Sequence, residues 1–334
     1  MQHSRVIAMK AKSLEWLIAG LLGLAMLFAA ARAMAQSNSV SIGVLTPGLH
    51  YESALVGLRE GLAKFGYREG KNLTLTVEDS KGDTTNLNGR VAKLIEAKPD
   101  LIFTVATAHS VAAKEATATI PIVFCVVGDP VQAQLVANFA SSRNNVTGVS
   151  SHSALLTAKR LELLRDLAPR ARSVLVIVSI NEAIAKLGLP YLDEPAKKMG
   201  FRLVRRDVTD GEEFEKLLAE KWKSIDAIFP MPSVLVVKNI PGLAAKATKE
   251  RLPLILYEDS SVKSGGLASY GSDFRLIGAQ SAKLVVKIFK GTKPADIPIE
   301  TPDPLVLTIN RSTAKSIGLK IPDKILERAD RIYD

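Results

Sequence analysis

The sequence holds one cysteine, Cys125, so no internal disulfide can form and a disulfide-stapled scaffold is excluded. Cys125 sits in the apolar run Ile120–Val127, where a small buried hydrophobe is expected rather than a catalytic thiol. Histidine is scarce too. His50, His109 and His152 match no metal-ligand spacing, so no metal is expected. There is no Walker loop, no dinucleotide glycine fingerprint and no Gly-x-Ser-x-Gly nucleophile turn; Gly43, Gly57 and Gly61 make no phosphate loop. No cofactor is therefore expected, and an exported α/β enzyme has no visible machinery. Lys and Arg outnumber Asp and Glu by 44 to 34, but the two signs are interspersed and no arginine-rich block stands out. That argues for a solvated basic surface and against nucleic acid as a partner.

What is present begins with an export leader. Arg5, Lys10 and Lys12 precede an apolar run, Trp16–Ala31, and then Ala33-Met34-Ala35. This is the order of a signal peptide, with cleavage expected before Gln36. The run falls short of the ~20 residues that a membrane-spanning helix needs. No later segment is apolar enough to span, so no stable membrane insertion is expected after cleavage. A periplasmic location follows. The roughly 300 residues that remain exceed the usual size of one core and predict two domains.

Short apolar runs alternate with segments of helical period, the βαβ pattern of a parallel sheet covered on both faces. Predicted strands are Val40–Leu45, Leu73–Val77, Leu101–Val105 and Pro121–Val127, with helices after each, the last from about Val131. Asn145–Ser150 is a strand-like link, and then the pattern restarts. A helix over Leu156–Leu167 precedes strands at Ser173–Val178, Phe201–Val204, Ala227–Phe229, Leu252–Leu256 and Gly266–Tyr270. One helix is predicted to end at Met199-Gly200 and a long one to run over Phe274–Lys290. The tail holds a strand, Leu305–Asn310, and two short helices. Two α/β units thus lie in tandem with no low-complexity linker, as expected if the chain crosses between them several times.

In open α/β sheets ligands bind beyond the carboxyl ends of the strands, so candidate site residues are sought there. Thr107 and Ser110 could cradle a carboxylate with nearby N–H groups, or simply start a helix. Asp129 and Glu258 could accept from a ligand amine, or cap the helices that follow. His50 and His109 lie on strand-end loops, where they face either ligand or solvent. Asn181 ends the first strand of the second unit. Met231 and Tyr270 could wall an apolar or aromatic ligand, or pack in the core. No catalytic residue is nominated.

A series of segments gives the chain a family likeness. It includes Ile42-Gly43-Val44-Leu45, the run from Gly61 through Phe65-Gly66-Tyr67 to Asn72, and Val127-Gly128-Asp129-Pro130-Val131. Asn145-Val146-Thr147-Gly148, Lys159–Leu164, Gly265–Gly271, Lys290–Asp296 and the closing Gly318-Leu319 and Ile321-Pro322 continue it. In these the chain resembles the ABC transporter substrate-binding proteins whose best-known members take up tryptophan or tyrosine. One departure is Ala106-Thr107-Ala108 where the family commonly has Gly-Thr-Pro, with His109 where a small residue is usual.

The resemblance implies a type I periplasmic binding fold: α/β, two Rossmann-like lobes joined by a multi-strand hinge, with a cleft between them. The lobes are expected at 36–149 with 270–299, and 150–269 with 300–334. The expected function is capture of a small organic ligand, amino-acid-like or an aromatic acid, for an inner-membrane ABC permease, by a monomer that is not an enzyme. The alternative is a ligand-sensing partner of a membrane receptor without transport. A DNA-binding sugar-repressor relative would carry a helix-turn-helix where this chain has its leader.

Overall fold

A computed structural model describes residues 39–334. The leader and the cleavage point before Gln36 lie outside the described residues. Among those described, no helix is long and apolar enough to cross a membrane.

The first half of the chain supplies β1 (Val40–Thr46), α1 (Glu52–Lys64), β2 (Leu73–Asp79), α2 (Leu87–Glu96), β3 (Leu101–Val105), α3 (Thr107–Ala116), β4 (Ile122–Val127) and β5 (Val146–Ser150). Its strands form one parallel sheet in the order β2-β1-β3-β4-β5. β3 and β4 are buried along their whole length, which is why they read as unbroken apolar runs.

The chain then builds α4 (Thr157–Leu167), β6 (Ser173–Ser179), α5 (Ala183–Leu187), α6 (Asp193–Lys198), β7 (Arg202–Val208), α7 (Gly211–Ala219), β8 (Ala227–Pro230), α8 (Val234–Lys249), β9 (Ile255–Leu256), α9 (Asp259–Lys263) and β10 (Ala268–Ser272). β7, β6 and β8 pair in that order, and a bridge from Ile228 to Leu254 joins them to a second group, β9 and β10 with the later β11 (Leu305–Asn310) and β12 (Arg331–Tyr333). Only β10 and β11 run antiparallel. β7 is an edge strand, and its exposed Arg202, Arg205 and Arg206 discourage further pairing.

Between β10 and β11 lies α10 (Phe274–Phe289), which returns to the first lobe and packs on α1. Glycines decide how closely. A Cβ on Gly57 would lie 1.8 Å from the Arg275 carbonyl oxygen, and one on Gly278 would lie 1.9 Å from that of Ala54. The backbones of the two helices therefore touch. After α10 the chain passes back: Glu300 N donates to Gly148 O at 3.0 Å, and Ser150 N donates to Glu300 O at 2.9 Å. Three segments, near Ser151, Asp273 and Glu300, thus connect the lobes side by side. Short helices α11 (Arg311–Ile317) and α12 (Asp323–Leu326) complete the second lobe.

Two details differ from the sequence reading. No helix directly follows β4; residues from Pro130 to Gln134 form turns. The helix expected before Gly200 is broken into α5, a 3-10 turn at Leu189–Tyr191 and α6, because Pro190 and Pro195 lack the N–H groups a continuous helix requires.

The α1–α10 contact gives a direct test. Gly57→Ala is expected to lower unfolding free energy by about 1–3 kcal/mol or more, the range for overpacking a filled interface. Denaturant titration would measure it, and an unchanged midpoint would mean that the two helices can part without cost.

Candidate functional site

The carboxyl ends of both sheets face one another across a narrow cavity of about 20 Å³. The first lobe contributes Tyr51, Ala106, Thr107, Ala108 and Val126. The connecting segments contribute Ser151, Ser153, Ser272 and Phe274. The second lobe contributes Glu182, Ile184, Pro232, Val234 and Tyr257. A wider groove of about 310 Å³ adjoins it, between α2 and α3 on one side and Asn181–Ala183 on the other.

Tyr51 and Phe274 form an aromatic wall, their rings stacked at 5.1 Å with 15° between planes. The α1–α10 packing puts them there, since Tyr51 directly precedes α1 and Phe274 opens α10. Opposite, the Tyr257 hydroxyl donates to Ser233 O at 2.8 Å and accepts from Ser233 N at 3.2 Å. Burial pushes both phenols, Tyr51 and Tyr257, well above the usual tyrosine range, so both stay neutral.

The floor of the first lobe is strained. Ala106 holds φ 73° and ψ 158°, a region otherwise used almost only by glycine. It is pinned there: its N–H donates to Cys125 O at 3.1 Å, and its carbonyl accepts from Ser110 N at 3.1 Å and Ser110 Oγ at 2.8 Å. α3 starts immediately after it and no side chain caps the helix, so its first N–H groups point out at the cavity end.

Glu182 is the charged group of this cavity. Oε1 accepts from Leu235 N at 2.9 Å and Ser179 Oγ at 3.2 Å, and Oε2 accepts from Val234 N at 2.8 Å. It thereby sits on the amino end of α8. Burial still outweighs these bonds and raises its carboxyl above the ordinary range. Behind the wall, Arg160 is fully buried and donates to Ser153 O and to Thr157 Oγ1. Its guanidinium lies 5.9 Å from the centre of the Tyr257 ring, and burial lowers its pKa to about 10.

Of the nominated residues, Thr107 lines the cavity and Asn181 borders the groove, where its amide donates to Thr209 O at 3.1 Å. Ser110 lies one turn deeper and braces Ala106 and Thr104. Asp129 caps a turn, accepting from Val131 N and Gln132 N at 3.0 Å each. Glu258 caps α9, taking the N–H groups of Ser260 and Ser261 at 2.8 and 2.7 Å. Met231 is buried in the second core. Tyr270 faces a separate surface groove with Lys159, Glu162 and Arg328. His109 is buried with Nε2 3.0 Å from Ser80 Oγ, not exposed on a loop. His50 reaches across the cleft instead: Nδ1 lies 3.3 Å from Ser261 Oγ and 3.5 Å from Glu258 Oε1. Tyr51, Phe274, Tyr257 and Glu182 were not nominated. The acid beside Asn181 was the one legible signal among them.

A family model described as ABC transporter substrate binding protein matches residues 39–333. The chain belongs to this family. A tyrosine-binding protein of Clostridioides difficile (strain R20291) is 28% identical over 322 residues, covering 92% of this chain and 93% of the relative. A solved Streptococcus pneumonia ABC domain in complex with L-Trp superposes with a TM-score of 0.82 at 26% identity, over 88% of this chain and 99% of the other. A ligand-free, open substrate binding protein with adhesive properties from Clostridium difficile gives 0.66 at 28% identity, over the same shares of the two chains. The better fit to the liganded relative agrees with the contacts across the cleft, which besides those of His50 include Gln132 Nε2 to Tyr191 OH at 3.4 Å. The fold is the two-lobed periplasmic binding architecture in a closed arrangement.

Two outcomes are expected from this geometry. Ala106→Gly should raise stability by about 1 kcal/mol, the strain relieved less the extra freedom of glycine in the unfolded chain; a lower melting temperature would show that Ala106 is not strained. His109 is held down to about 3 by burial and then by the charge of Arg90, whereas a free histidine titrates near 6.5. The folded protein therefore keeps this contribution in full above pH 6.5 and loses it as pH falls toward 3. Urea titrations between pH 7 and 4 should show that slope, and His109→Gln should flatten it.

Proposed function

We propose that this chain is the periplasmic receptor of an ABC importer, closing on an amino-acid-like aromatic ligand and delivering it to an inner-membrane permease. The observation that carries this reading is the cavity wall, where the Tyr51–Phe274 stack adjoins the uncapped amino end of α3. The stack offers a face for an aromatic ring, and the amino end offers N–H groups and a positive dipole for a carboxylate. Thr107 stands where both meet. Relatives that bind tyrosine and L-Trp support the ligand class.

In this reading the protein works as a monomer and makes or breaks no bond. Ligand that touches both lobes favours the closed state because only there are all its contacts made. The lobes in this reading are 36–149 with 270–299, and 150–269 with 300–334. Asp129, Glu258, Ser110 and Met231 then shape the loops and core around the ligand, while His50 joins the lobes.

Calorimetry with tyrosine, tryptophan and phenylalanine tests the proposal. A binding aromatic amino acid should stabilise the protein by about 2.7 kcal/mol at a hundredfold excess over Kd. Tyr51→Ala should weaken it at least tenfold with folding intact. Absence of any thermal shift or heat with the whole panel would reject the ligand class.

A further inference from the structure

Two helix amino ends meet the cavity, one from each lobe, and they are in opposite states. That of α3 carries no side-chain cap. That of α8 is already filled, because Glu182 accepts from Val234 N at 2.8 Å and from Leu235 N at 2.9 Å while Ser233 Oγ accepts from Val236 N at 2.9 Å. A ligand carboxylate brought to α8 would meet a carboxylate already there, a like-charge contact in a dry site. One brought to α3 would meet free donors.

Glu182 has the further property that nothing cationic answers it. It is 9% exposed, it lies on the cavity wall, and among the described lining residues it is the sole charged side chain. The groups that bond it are two backbone N–H groups and the hydroxyls of Ser179 and Ser233, and no ion pair forms with it among the described residues. A carboxylate has about four acceptor positions, and Oε2 uses one of its two on Val234. A buried charge of this kind is costly unless a partner completes it. The other acids near the cleft are differently placed: Asp129 and Glu258 are outside the wall, and Glu258 already has His50 beside it.

We propose that Glu182 is the specificity-determining residue for the ligand's ammonium group. By also filling the amino end of α8, it fixes ligand orientation, carboxylate toward α3 and ammonium toward the second lobe. The substrate class is then a primary α-amino acid, and a deaminated aromatic acid is rejected because it leaves Glu182 unanswered. This assignment rests on the reading of the cavity as the ligand site.

The test compares tyrosine with its deaminated analogue, 3-(4-hydroxyphenyl)propanoate, on the wild-type protein and on Glu182→Gln, by calorimetry at pH 7. Wild type should prefer tyrosine strongly. Glu182→Gln should weaken tyrosine at least tenfold and leave the analogue within about threefold, collapsing the preference, since the lost contact is a charge-assisted hydrogen bond. Glu182→Asp, which keeps the charge one methylene back, should retain part of it and serves if the Gln variant does not fold. A merely structural Glu182 would weaken both ligands together and keep their ratio; that result overturns the assignment while the receptor reading stands. A wild-type protein that binds none of tyrosine, tryptophan and phenylalanine overturns the ligand class, and the assignment with it.

Discussion

The close seat of α10 on α1 is the constraint on which the site depends. α10 leaves the second sheet and lands on the first lobe, so its position fixes how the two lobes hang together. Gly57, Gly61 and Gly278 let the backbones approach until carbonyl oxygens of one helix occupy the space where Cβ atoms would stand on the other. The exposed ion pair between Arg275 and Glu60 decorates this contact, but a surface pair contributes at most about 1 kcal/mol. Packing does the rest, with Ile277, Ala282 and Val285 buried along the helix. Its amino end is held from the other side: Asp273 caps it, accepting from Arg275 N at 2.8 Å, and Arg331 of the last strand donates to the same carboxylate at 3.0 Å. Fixed at both sides, α10 can present Phe274 to Tyr51 in one geometry.

The cavity so formed holds a charge that the fold does not neutralise, and a second lies just behind it. Burial drives Glu182 and Arg160 in opposite directions, each toward its neutral form. They do not form an ion pair, so each must be stabilised locally. For Glu182 the amino end of α8 supplies a favourable dipole. Arg160 lies near the amino end of α4, where the dipole disfavours a cation, and depends instead on the Ser153 carbonyl, the Thr157 hydroxyl and the face of Tyr257. The two charges thus have different characters. Arg160 fastens the start of α4 to the connecting segment, whereas Glu182 opens directly onto the space between the lobes.

Fold was more legible than site, for a physical reason. Buried parallel strands are written as apolar runs, and β3 and β11 were bounded from the sequence without error. The short segment β12 carries too few residues to show a period. At the strand ends, by contrast, residue type does not distinguish a ligand contact from a cap. Asp129 and Glu258 have the composition of both, and in the structure both cap. Asn181 and Glu182 are neighbours pointing different ways, and a side chain's direction after a strand depends on turn geometry that no pattern reveals. Tyr51 and Phe274 were invisible for another reason: their meeting depends on residues more than two hundred positions apart being joined by glycine contacts.

Closure is held by apolar packing across the cleft, such as Ile184 seated on Gly128, and by a few polar contacts. His50 reaches Ser261 and Glu258 at distances of 3.3 and 3.5 Å, and Gln132 meets Tyr191 at 3.4 Å, all long for hydrogen bonds. Each adds about 1 kcal/mol or less, so these polar contacts by themselves do not lock the lobes. A receptor needs that balance. If these contacts alone held the lobes shut, ligand would have no route in; if none existed, ordering both lobes would be charged wholly against binding energy. Weak polar contacts at the rim and an unanswered carboxylate within divide the task. On the proposed assignment, the rim makes the closed form accessible, and a ligand ammonium that answers Glu182 makes it dominant.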